Sequence, residues 1–117
     1  MIDRARARNK ACIAAGRALI ERRTLSDATF ERRFGKIFAI NVNAFWTAPA
    51  PTCAALRRLL RRDGIAFLTY EPPSAHRLRD LRRWLPRQLE EHGFAVIDIR
   101  EQQFRKSSGL CVLTRVQ

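Results

Sequence analysis

Apolar residues in this chain fall into short runs, and the runs alternate between two spacings. Ile37-Phe38-Ala39-Ile40 is continuously apolar. It closes on a polar pair, Asn41 and Asn43, just before the aromatic pair Phe45 and Trp46. Such a run predicts a short, fully buried β-strand over 36–42. Cys53, Leu56, Leu59 and Leu60 follow at helical spacing, with Arg57, Arg58, Arg61 and Arg62 opposite. This predicts an amphipathic helix, capped by Thr52 and ended by Asp63-Gly64. A second continuous strand is expected over 65–70, stopped by Pro72-Pro73. Ser74 can cap a helix whose one face carries Leu78, Leu81, Leu85 and Leu89. Pro86 interrupts that face, so a kink or two short helices are expected, near 74–84 and 85–92. His92-Gly93 ends it. Strands are expected over 94–100 and 110–116, with a turn at Ser107-Ser108-Gly109.

The first third is less regular. Alanines make 2–16 a helix, with Gly16 as its stop. Ala18-Leu19-Ile20 opens a strand pattern that Glu21-Arg22-Arg23 interrupts, so 18–25 reads as a weak edge strand. Residues 26–33 are polar and read as a loop. Alternating strands and helices argue for an α/β fold with a mainly parallel sheet and helices on both faces. Too few residues join the last two strands for a parallel crossover, so they are expected to form an antiparallel hairpin.

Composition narrows the partners. The chain has 117 residues, enough for one domain. No apolar run approaches the length of a membrane span, and the charged N-terminus lacks the apolar core of a signal peptide. The three cysteines, Cys12, Cys53 and Cys111, are widely spaced among aliphatic residues. They read as free thiols of a cytoplasmic protein, and no metal-ligand spacing is present. The net charge of +12 raises nucleic acid as a partner. Arginine dominates that charge but is dispersed, apart from clusters over 57–62 and 77–87, and dispersed arginine also fits a solvated helix face.

The order of elements resembles the second half of a class I S-adenosylmethionine (SAM)-dependent methyltransferase. Phe34-Gly-Lys-Ile-Phe-Ala-Ile-Asn-Val42 looks like that family's fourth strand. Leu56-Arg-Arg-Leu-Leu-Arg-Arg-Asp-Gly-Ile-Ala-Phe-Leu68 looks like the helix and turn entering its fifth, and Leu89-Glu-Glu-His-Gly-Phe-Ala-Val-Ile97 looks like the entry to its sixth. Ser26-Asp27-Ala28 is similar to its acidic loop after the third strand. The departures are specific. Gly35 stands in place of the usual aspartate, and Arg62-Asp63 in place of Pro-Gly. No Gly-x-Gly-x-Gly follows a strand, and no strand-end acid is present for the cofactor ribose. Asp3 has no strand before it and does not fill that place. The resemblance therefore implies a partial domain over 1–117, entered part-way, whether as a truncated reading frame, a fragment or one half of a split enzyme. Strand 36–42 would then lack a neighbour, leaving an apolar edge open to homodimerisation.

The resemblance implies SAM as cofactor and a small-molecule methyl acceptor. Asp27 and Ala28 would contact the adenine, and Asn41 and Val42 would lie near the sulfonium. Asn43, Phe45, Trp46 and Tyr70 would line the acceptor pocket, and Glu71 is a weak candidate general base. Plainer readings stand beside these: a loop aspartate, strand-end asparagines, core aromatics and a solvated glutamate. Two other functions stay open, an arginine-rich nucleic-acid-binding module and a scaffolding fragment that pairs through its open strand.

Overall fold

A computed structural model describes residues 1–117. The N-terminal helix forms as two pieces, α1 (Ile2–Arg8) and α2 (Lys10–Ala14), broken at Asn9 and stopped at Gly16, whose φ is +75°. The expected strand over 18–25 does not form. Its charged middle pairs within itself, Arg23 to Glu21 at 2.6 Å, and Arg6 reaches across to the Ile20 carbonyl at 3.2 Å. That leaves an irregular segment running through a turn to β1 (Phe34–Ile40).

Short α3 (Ala44–Thr47) and α4 (Pro49–Leu59) follow. α4 starts four residues earlier than Cys53, because Pro49 suits the first helical position. Thr52 is therefore inside the helix and does not cap it; its buried hydroxyl donates to the Ala48 and Ala44 carbonyls. The chain passes directly into β2 (Leu60–Tyr70), so Arg61, Arg62 and Asp63 belong to a strand and not to the helix. Residues 61–64 form an irregularity in the β1–β2 register, where Phe34 pairs with Leu60 and Lys36 already with Ile65. Gly64 is required there: a Cβ would lie 2.9 Å from the Gly35 carbonyl oxygen, a backbone atom that cannot yield.

α5 (Ala75–Glu91) runs unbroken through Pro86. Burial of Leu78 on one side of the proline and Leu85 and Leu89 near it holds the two halves in line. Ser74 caps it as expected, accepting from the Arg77 N–H at 3.1 Å, and Gly93 ends it with φ +90°. β3 (Phe94–Gln103) and β4 (Ser108–Val116) form the antiparallel hairpin.

The four strands lie in the order β1-β2-β4-β3, with β1 and β2 parallel and the other pairs antiparallel. β2 and β4 are central and supply Leu60, Leu68, Leu110 and Val112 to a core completed by Leu56, Leu85, Leu89 and Phe94. β1 is an edge. It is not the fully buried strand its composition suggests: Phe38 is 66% exposed and Ile40 70%. Phe38 covers what it can by stacking on Phe67, with ring centroids 4.7 Å apart.

Candidate functional site

The parallel pair sets the site. β1 ends in Asn41, whose φ of +54° is left-handed, a conformation asparagine tolerates better than most residues. Its N–H donates to the Thr69 carbonyl at 2.8 Å, and its side-chain oxygen accepts from the Glu71 N–H at 3.0 Å. One residue thus clamps the carboxyl ends of both strands and leaves its side-chain NH2 without a protein acceptor. Tyr70 adds a second tie, donating from its hydroxyl to the Val42 carbonyl at 2.9 Å. Burial, with Cys53 nearby, pushes the Tyr70 phenol well above its ordinary range, so it is a strut and not a proton carrier near neutral pH.

α3 then places Trp46 against the Tyr70 ring, centroids 4.9 Å apart. Neighbouring Phe45 points about 100° round the helix and is buried in the core, so it does not face the pocket as expected. From the far side, Pro72-Pro73 leads into α5. Arg77, Asp80, Leu81 and Trp84 fall at helical spacing along one face, with Arg83 beside them. These groups, with Asn41, Asn43 and Glu71, enclose a cleft of about 810 Å³ beyond the carboxyl ends of β1 and β2. The Glu71 carboxylate accepts from the Ser107 hydroxyl, tying the β3–β4 turn to the rim. His76 stands 3.5 Å from Asp80.

The cleft thus gathers Asn41, Asn43, Trp46, Tyr70 and Glu71, with Val42 bonded to Tyr70 just behind. It does not gather Asp27 or Ala28. The Asp27 carboxylate accepts from the Thr24 hydroxyl at 2.7 Å, and the Ala28 N–H is used on the Leu25 carbonyl. Ala28 lines a second hollow, of about 980 Å³, with Leu25, Phe30 and Leu59. Arg77, Arg83 and Trp84 have no mark in the sequence beyond the polar face of a helix; a tryptophan set among arginines was the one signal. No group of three or more His, Cys, Asp or Glu is placed to hold a metal ion, and no helix is long and apolar enough to cross a membrane.

No protein-family model and no curated protein sequence matches the chain. Solved structures do. The mitomycin 7-O-methyltransferase MmcR superposes with a TM-score of 0.73 at 15% identity, over 99% of this chain. Magnesium protoporphyrin IX methyltransferase from Synechocystis, with bound S-adenosylhomocysteine (SAH), gives 0.70 at 12% identity over 100% of it. The fold is that of a class I SAM-dependent methyltransferase. The N-methyltransferase NodS from Bradyrhizobium japonicum shares it, at a TM-score of 0.63 and 15% identity over 95% of this chain. The segments that resemble the family's fourth and fifth strands form the parallel pair β1 and β2, and the reversed β4 lies between two neighbours it opposes. This chain spans 39% of the length of MmcR, 60% of the Synechocystis enzyme and 68% of NodS.

The groups present do not make a complete cradle for SAM. No glycine lines the cleft, so nowhere does bare backbone approach a ligand there. Asp27 and Ala28 are engaged elsewhere. On its free side β1 has no neighbouring strand to carry a cofactor loop.

Proposed function

We propose that this chain carries the acceptor side of a small-molecule methyltransferase site, and that its own residues leave the cofactor side unfinished. The observation that carries the reading is the position of the cleft, beyond the carboxyl ends of the parallel pair, where open α/β sheets bind ligands. In this reading Trp46 and Trp84 supply apolar walls, Asn41 and Asn43 supply amides, and the Glu71 carboxylate oxygen not bonded to Ser107 takes a proton from an acceptor hydroxyl or amine. The named neighbours are methyltransferases of small molecules, which supports the class of acceptor.

The test is an NMR titration of the chain with SAH. Weak binding, with a Kd of about a millimolar, is expected, and the amide shifts should centre on Asn41, Val42 and Glu71. No shift at those positions up to saturating ligand sinks the methyltransferase reading. A micromolar Kd from the monomer overturns the unfinished cofactor side.

No observation favours nucleic acid. Arg58 is committed to the Ser26 and Ala28 carbonyls, Arg61 to Asp63, and Arg82 to Glu101. The clusters that suggested phosphate contacts are partly consumed inside the fold.

A further inference from the structure

Of the charged groups lining the cleft, the two acids are each directed to a protein partner and the two bases are not. Asp80 faces His76, and Glu71 takes the Ser107 hydroxyl. Arg77 and Arg83 take part in none of the five ion pairs, and their guanidinium groups make no hydrogen bond to the protein. A guanidinium offers five donors in a planar fork that matches a carboxylate, so the cleft presents two unengaged forks to an anion. The apolar walls are the two indoles with Pro72, Pro73, Leu81 and the little of Tyr70 that is exposed, which suit a flat apolar body.

We propose that the cleft selects an aromatic carboxylate, with its ring among Trp46, Tyr70 and Trp84 and its charge held by Arg77 and Arg83. This deepens the acceptor reading above and rests on it. A cationic aromatic would meet two unpaired guanidinium groups in the same cleft, and a neutral one would leave both idle.

Trp46 and Trp84 are the only tryptophans in the chain, and both line this cleft. Intrinsic indole fluorescence therefore reports on the cleft alone. Para-hydroxybenzoate, phenol and tyramine are titrated against the whole chain, with and without SAH. Saturable quenching by para-hydroxybenzoate is expected, at least about tenfold tighter than by phenol or tyramine, since a charge-assisted pair is worth about that factor. Arg77→Gln and Arg83→Gln should each weaken it by about tenfold while the urea midpoint stays put, because both side chains are exposed. Arg77→Lys should recover part of the loss. Equal affinity for the three probes, indifference to both glutamine variants, or no quenching with or without SAH overturns the proposal. If SAH produces no shifts while para-hydroxybenzoate still binds, the methyl-transfer reading falls and the carboxylate site stands.

Discussion

Asn41 combines a left-handed backbone with a side-chain bond that joins two strand ends. The two contributions separate by substitution. Asn41→Gly keeps the conformation and loses the bond, whereas Asn41→Ala loses the bond and adds strain. Urea denaturation should show the alanine variant less stable than the glycine variant by about 1 kcal/mol. Equal stabilities would mean that the backbone at 41 relaxes freely. Tyr70→Phe strands the Val42 carbonyl and should cost about 1–2 kcal/mol. Cys53 has its thiol pushed up from its ordinary 9.0 to about 11 by burial. Its burial therefore favours the folded state fully below pH 9.0, and that contribution is lost as the pH rises through about 11. At pH 8 a thiol reagent should label half-buried Cys12 and Cys111 well before Cys53; labelling of Cys53 at the same rate would contradict its placement in the core. At this scale the sequence showed where strands stop, and so pointed to Asn41, Tyr70 and Glu71. It could not separate Phe45 from Trp46. Adjacent aromatics look alike in a pattern, and only the turn of α3 sends one inward and one to the cleft.

Among the elements, α5 shows how packing overrides a local rule. Pro86 removes one backbone donor and crowds the preceding turn, an interior cost of about 3 kcal/mol relative to alanine in a free helix. The helix persists because Leu85 and Leu89 are fully buried beside it. Pro86→Ala should raise the thermal midpoint, whereas Leu85→Ala should cost about 2–5 kcal/mol by opening a cavity. A Pro86→Ala variant that melts lower would show that the ring's own packing matters more than the missing bond. The same logic explains where the sequence pattern misplaced boundaries. A helix-to-strand junction at Leu59–Leu60 has no punctuation, and Asp63-Gly64, which reads as a turn, is the irregularity that lets β2 continue past β1. The strand expected over 18–25 had the right residues at its start but too much charge in its middle, Glu21-Arg22-Arg23, and it leaves the open edge of β1 uncovered.

Taken whole, the molecule is a small mixed sheet with a strong positive charge and one open parallel edge. The order of elements, and hence the fold, was legible because each strand has a glycine, proline or asparagine at or near one of its ends. The openness of β1 could not be read from its apolar run, since a buried strand and an orphaned one share a composition. With a net charge of +12, self-repulsion should yield to screening, so the thermal midpoint should rise as salt is added from low ionic strength. The open edge has a further consequence in amide hydrogen exchange. The Asn41 N–H points to β2, and strand alternation sends those of Ile37 and Ala39 the same way. The amides of Lys36, Phe38 and Ile40 then face solvent. Along one strand, exchange should alternate residue by residue, slow at 37, 39 and 41 and fast at 36, 38 and 40. Anything that adds a strand beside β1 will slow those three amides together, and so announce itself in a protection pattern before any activity is measured.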